Sequence, residues 1–352
     1  GWTSTCGATV RPSSSTSEPP APAPAAVGGL FDPMFSTPAV AARTSDTAWV
    51  QAMLDVEAAL ARAGAAAGLV PPASALAITA AAAADRFDLA SLGARAAISA
   101  TPVIALLDDL TTAVGPEHAR YLHLGATSQD VVDTAMCLVA ARTLDVIGPD
   151  LAAGVAAVAD LAAAHRTSPQ LGRTLLQPAA TTTFGAVCAG WLVAIAEAVA
   201  ALDTVRRRRL AVQFGGAVGT MAALGADGPA VAATLAAELG LALPTVPWHT
   251  SRGRIAELAA ALGLVAGAVG RVALDVTLLA QAEIGEVAEG SPGGSSAMPH
   301  KRNPSRSTLV TACVHRVPGL VATIFAGQPQ ELQRATGRWQ AEWQVVTDLL
   351  RL

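Results

Sequence analysis

Residues 252–289 read RGRIAELAAALGLVAGAVGRVALDVTLLAQAEIGEVAE, a proline-free run in which Ile255, Leu258, Leu262, Val265, Val269, Val272, Val276 and Leu279 recur at steps of three and four. That spacing sets one apolar stripe along an α-helix. At about 1.5 Å per residue a helix over 252–289 would exceed about 50 Å. Helices of that length run the length of a bundle or form an oligomer interface. Gly263, Gly267 and Gly270 lower helix propensity, so close approach by a neighbouring helix is the expected reason for them.

The composition points the same way. With 352 residues, 52% of them hydrophobic and 14% charged, the chain can bury one large core or two domains and is not disordered as a whole. Alanine dominates, aromatics make up 4% and there is a single tyrosine, which favours helix over strand and sets the expected class as all-α. A formal net charge of −4 gives no general reason to bind nucleic acid, and Arg206–Arg209 reads as one solvated turn of a helix. Cys6, Cys137, Cys188 and Cys313 are far apart without CxxC spacing, as in a reduced, cytoplasmic protein.

The stretch between Arg173 and Glu197 carries no charge and is long enough to cross a bilayer. Gln177, Pro178 and Thr181 to Thr183 interrupt it, leaving Phe184 to Ala196, which is too short to span; a buried bundle helix is expected, with no membrane partner. No signal peptide is expected either, because the start lacks a basic segment and a continuous apolar one. Residues 1–28, with SSSTSEPPAPAPAA, read as a low-complexity tail, and Gly1 in place of methionine suggests processing or a fragment. Residues 29–115 read as a helical N-terminal domain: Trp49, Met53, Val56 and Leu60 follow Asp46 at helical spacing, and Gly64 and Gly68 lead to a stop at Pro71-Pro72. Residues 116–352 read as a helix bundle, with two short extended pieces around Leu171 to Gln177.

Directly after the long helix stands GSSAMPHKRNP, residues 294–304. Gly293 and Gly294 permit backbone angles closed to other residues, so successive N–H groups can turn toward one anion while Ser295 is presented on a loop. Lys301 supplies a cation and Asn303 a donor for developing negative charge. An isolated GGSS would be a flexible turn and HKR a solvated patch; the complete run resembles the signature loop GSSxMPxKxN of the fumarase/aspartase superfamily, with each fixed position matched across loop 293–304. The resemblance implies that Ser295 is a base taking a proton from a carbon beside a carboxylate. Lys301 and Asn303 would then stabilise the aci-carboxylate, with Met298 lining the site.

Two further segments carry the resemblance. HLGATSQDVVDTA, residues 123–135, is similar to the first conserved region of that superfamily, which implies substrate contacts from Thr127, Ser128 and Gln129. On bare chemistry the same residues suit a plain helix N-cap, with Asp130 and Asp133 orienting the helix start, and His123 either binds substrate or packs. GRTLLQPAATTTFG, residues 172–185, is similar to the second region, where Arg173, Thr174 and Gln177 match site-lining positions. Adenylosuccinate lyase-like members place a histidine acid where Leu175 stands here.

The LLQ variant, QFGGAVGTMAALG at 213–225, PWHTSRGRIAELAAALG at 247–263 and QAEIGEVAEG at 281–290 resemble the 3-carboxy-cis,cis-muconate cycloisomerases. Leu332 and Gln340 stand where that pattern has histidines, and Pro178 and Thr181 are unusual within their motif. The resemblance implies a fumarase/aspartase-like fold, a long central helical bundle with a smaller N-terminal helical domain, here without the C-terminal helical domain. It also implies a homotetramer with shared active sites, a small carboxylate substrate, reversible lactonisation to 4-carboxymuconolactone, and no cofactor. Glu283, Glu286 and Glu289 share a face of the expected helix, but without nearby histidines no metal site is expected. The rival readings are another lyase of the superfamily, adenylosuccinate lyase-like or acting on a substituted succinate, and a truncated non-catalytic relative.

Overall fold

The computed structural model describes residues 29–352; the expected tail 1–28, with Cys6, lies outside them. The chain folds as helices around one small hairpin, as its composition requires. The N-terminal part carries α1 (Asp32–Phe35), α2 (Pro38–Arg43), α3 (Asp46–Ala66), α4 (Pro72–Ala81), α5 (Leu89–Ser99) and α6 (Pro102–Val114). Prolines in the first turn of α2, α4 and α6 cost no hydrogen bond there, and Thr37, Ser45 and Thr101 accept from backbone N–H groups at the starts of α2, α3 and α6. Met53, Val56 and Leu60 of α3 are buried as their spacing predicts.

After α7 (Pro116–Ala119) come α8 (Ser128–Ala164), β1 (Pro169–Thr174), β2 (Gln177–Thr183), α9 (Phe184–Arg208), α10 (Gly228–Leu239), α11 (Gly253–Leu279), α12 (Ser305–Ala326) and α13 (Gln340–Arg351). β1 and β2 form an antiparallel hairpin at the place where two extended pieces were expected. The bundle is built from α8 against α9, α9 against α11, and α11 against α12. α8 spans 37 residues, about 55 Å. The main core joins Leu54 and Leu60 of α3, Met136 of α8, Leu258 of α11, Ile324 of α12 and Leu350 of α13. Three arginines, Arg206 to Arg208, fill the last turn of α9, where cations meet the negative end of the helix dipole, and Arg206 pairs with Asp145.

Two expectations need correction. The helix read over 252–289 ends at Leu279, which makes it about 40 Å long. Gly285 takes φ +61°, the N–H of Glu286 returns to the carbonyl of Leu279 at 3.0 Å, and the carboxylates of Glu286 and Glu289 are drawn to other elements. Glu283, Glu286 and Glu289 therefore share no helix face. The second correction concerns α9, which is 25 residues long and not limited to 184–196. Among the described residues, α8, α9, α11 and α12 are each long and apolar enough to cross a membrane by length and composition. In the bundle α9 and α11 are tied by a polar link, the Trp191 indole N–H donating to Asp275 at 2.7 Å.

The glycines of α11 divide in the same way. A Cβ on Gly270 would lie 2.8 Å from Val314 of α12 and one on Gly263 3.3 Å from Val321, whereas Gly267 meets nothing within 4 Å. Close approach thus explains two of the three.

Candidate active site

The segment 290–304, which precedes α12, forms a closed loop. Gly293 and Asn303 exchange both backbone hydrogen bonds, at 2.8 and 2.9 Å, and the Asn303 amide donates to the carbonyl of Gly294 at 2.8 Å. Inside the loop, the Ser295 Oγ accepts from the N–H groups of Ala297 at 3.3 Å and Met298 at 3.1 Å. Two N–H dipoles aimed at one oxygen favour its anionic form. One loop thus carries Ser295, Lys301 and Asn303, with Lys301 and Met298 exposed and no carboxylate paired to Lys301 among the described residues.

The glycine expectation is corrected here: neither Gly293 nor Gly294 takes a positive φ, and the N–H pair comes from Ala297 and Met298. Gly293 is demanded by space, since a Cβ there would sit 1.8 Å from the Ser305 Oγ.

Glu289 locks the base of this loop to α12. Its carboxylate accepts from the N–H groups of Arg306 at 3.2 Å and Ser307 at 2.7 Å and from the Ser307 hydroxyl at 2.7 Å, the contacts of a helix N-terminal cap. Burial pushes this carboxyl up, but the three donors and Arg306 outweigh it, so it titrates below the usual carboxylate range. For a carboxylate so depressed, the stabilisation is present above about pH 4.3, the unfolded value, and is lost as pH falls through the folded one. Glu289→Ala is expected to destabilise the loop and the α12 start by about 1–2 kcal/mol. Amide exchange in 290–308 should quicken in the variant at pH 7 and should differ less from the parent at pH 3.

The hairpin stands beside this loop. The Arg173 guanidinium donates to Glu286 at 2.5 and 3.1 Å, and Gln170 donates to the same carboxylate at 2.8 Å. Thr174 and Gln177 are exposed at the hairpin turn. Leu175 and Leu176 form its tip with φ +53° and +63°, a left-handed pair that strains side chains of this size by roughly 1–2 kcal/mol each; Leu175 is 96% exposed. Replacing Leu175-Leu176 by Asn-Gly is expected to relieve about 1 kcal/mol locally, read as a roughly fivefold slowing of amide exchange in β1 and β2. Unchanged exchange would show that the turn carries no strain.

The first region lies at the opposite end of α8. Thr127 is the N-cap residue and, with Ser128, is half-buried. His123 takes φ +56°, and its Nδ1 lies 2.7 Å from a carboxylate oxygen of the fully buried Glu57, whose other oxygen accepts the His123 N–H at 3.0 Å. Burial works against charge on this imidazole, but Glu57 outweighs it, so His123 titrates above its ordinary value. Gln129 points inward: it is 2% exposed and donates to the carbonyl of His249 at 2.7 Å and to Asp133 at 3.1 Å. It therefore does not share a surface with Thr127 and Ser128. Beneath it, Arg252 is clamped between Asp133 and Glu342, all three with side chains at most 2% exposed.

The sequence reading missed Arg252, Glu342, His249 and Arg334. Arg334 donates to the carbonyls of Gly216 at 2.7 Å and Ala217 at 2.9 Å, close to the Thr127 end. For Arg252 a signal existed, because Asp130 and Asp133 sit in an apolar helix and buried carboxylates require partners. For Arg334 no spacing gives it away.

Within one chain, then, the signature loop and hairpin occupy one end of the bundle, and Thr127, Ser128 and His123 the other, about 55 Å away along α8. The lyase family model matches residues 34–319, and the chain belongs to that family, within the fumarase/aspartase superfamily. It is 47% identical over 326 residues to the 3-carboxy-cis,cis-muconate cycloisomerase of Pseudomonas aeruginosa, covering 91% of this chain and 71% of that protein. It is 41% identical over 341 residues to nitrosuccinate lyase of Streptomyces davaonensis, covering 92% and 71%. The crystal structure of 3-carboxy-cis,cis-muconate lactonizing enzyme from Pseudomonas putida superposes with TM-score 0.87 at 44% identity, covering 92% of this chain and 73% of that one.

Proposed function

We propose that this chain interconverts 3-carboxy-cis,cis-muconate and 4-carboxymuconolactone. The observation that carries the proposal is the 47% identity, over 91% of the chain, to a cycloisomerase, and the Ser295 loop supplies the chemistry. Viewed from the lactone, Ser295 as an alkoxide removes the proton on the carbon beside a carboxylate, the C–H electron pair becomes the new double bond, and the ring C–O bond breaks. Lys301 and Asn303 stabilise the aci-carboxylate charge. The leaving group is a carboxylate, stable as an anion above about pH 4, so this reaction needs no general acid at Leu175. In the lactonising direction the Ser295 hydroxyl returns the proton to carbon. Arg173, Thr174 and Gln177, with Thr127, Ser128 and His123, would hold the substrate carboxylates.

Because the parts lie at opposite ends of α8, the reading includes a homotetramer in which neighbouring chains supply the missing regions. The apolar faces of α9 and α11 around Val193, Leu264 and Leu274, exposed in the single chain, support it. Cys137, Cys188 and Cys313 are free thiols, which supports a cytoplasmic location. The test is turnover of 3-carboxy-cis,cis-muconate by the purified chain, with its oligomeric mass measured alongside. Mixing inactive Ser295→Ala with inactive Thr127→Val is expected to recover part of the activity, since some sites in a mixed assembly draw both intact parts; no recovery on subunit exchange would refute shared sites.

The 41% identity to nitrosuccinate lyase favours one second reading, elimination from a substituted succinate. A panel of such succinates, followed by new conjugated absorbance, separates the two.

A further inference from the structure

We propose that His249, paired with Asp130, is a positioning residue that fixes the first turn of α8 and so sets affinity for the substrate carboxylate; this rests on the reading of Thr127 and Ser128 given above. Asp130 is 1% and His249 5% exposed. One Asp130 oxygen accepts from the His249 Nε2 at 2.6 Å; the other accepts from the N–H of Thr127 at 3.0 Å and of Gly216 at 2.9 Å. One carboxylate thus joins three chain segments that are 86 and 119 residues apart in sequence.

The histidine fixes both ends of that junction. Its side chain holds the Asp130 oxygen, and its carbonyl accepts the Gln129 amide at 2.7 Å, so two successive residues of the α8 start are oriented by one neighbour. Its ring is seated tightly: a Cβ on Gly215 would lie 2.9 Å from the His249 Cε1. Without the imidazole, one oxygen of a buried carboxylate loses its donor, and the carboxylate must turn or take up water. Either response releases the N–H groups of Thr127 and Gly216. His249 itself touches no reacting atom in this account; it acts through Asp130 on the residues that do.

The test compares His249→Ala, His249→Gln, whose amide can replace the Nε2 donor, and Asp130→Asn. Amide exchange is followed in peptides covering 123–131 and 213–220, beside steady-state kinetics and circular dichroism. His249→Ala is expected to speed exchange in both peptides at least about tenfold, leaving the α3 core protected, and to raise KM about tenfold or more with kcat changed less than about threefold. His249→Gln should restore both toward the parent values. Unchanged exchange in folded His249→Ala overturns the proposal, as does a fall in kcat at constant KM or a failure of glutamine to rescue. Should His249→Ala fail to fold, Asp130→Asn beside His249→Gln gives the same comparison. Absence of turnover in the parent chain would refute the proposed reaction, and the exchange data would still decide whether His249 holds the α8 start.

Discussion

Ser295→Ala is expected to lower kcat for 3-carboxy-cis,cis-muconate by about 10²–10⁴-fold, the range typical of removing a general base. KM should move little, because the hydroxyl acts in proton transfer while Arg173, Thr127 and Ser128 hold carboxylates in the proposed site. The loop should keep its shape in the variant, since its closure rests on the Gly293–Asn303 pair and on Glu289, and oligomeric mass and melting temperature should be unchanged. Stopped-flow absorbance of the muconate gives the rate. A loss below about tenfold would remove Ser295 from the base role and turn attention to another group on the same loop.

Arg252→Met should have the largest effect on stability. Arg252 donates to both oxygens of Asp133 at 2.7 and 2.9 Å and to Glu342 at 2.5 Å, and its guanidinium stacks 4.8 Å from the ring centre of Trp248. Burial works against its charge, but the two carboxylates outweigh it and raise its pKa. Removing the cation leaves two buried carboxylates without their counter-charge, a loss of about 3–5 kcal/mol. Burial already pushes the Glu342 carboxyl up, and Arg252 offsets part of that; in the variant the offset is gone. A carboxyl whose folded pKa exceeds its unfolded value, about 4.3, contributes stability below that value and loses it as pH rises through the folded one. The deficit of Arg252→Met should therefore be smaller at pH 5 than at pH 8 in urea unfolding. A deficit below about 1 kcal/mol, or one independent of pH, would contradict this account.

Most helices were legible because apolar spacing and first-turn prolines act locally, but Gly148-Pro149, expected as a break, lies inside α8, and Pro318 lies inside α12. Met53, Val56 and Leu60 needed only their own sequence to declare a buried face. The end of α11 was only partly legible: the stripe of three- and four-residue steps stops at Leu279, but no proline intervenes before residue 289, and what turns the chain is the pull of Glu286 to Arg173 on the hairpin and of Glu289 to the start of α12. Those partners are 113 and 18 residues away, and no local pattern encodes them. The Ser295 loop was legible as a motif, but the reason for Gly293 was not, since the Ser305 hydroxyl that excludes a side chain is placed by folding. The Arg252 clamp joins residues 119 and 90 positions apart. The sequence offered for it only two aspartates too polar for their helix.

The continuous run of α8, which carries Pro149 in its interior without ending there, makes it a ruler. It has Thr127 at one end and His165, leading into the hairpin, at the other, so deleting one residue would shorten it by about 1.5 Å and rotate everything beyond by about 100°. A substitution on its surface alters one contact; a change in residue count alters the phase between the two ends. Diversification along this helix is therefore open to exchange of side chains but closed to single insertions and deletions, and a change of seven residues, close to two full turns, is the smallest that nearly restores the phase.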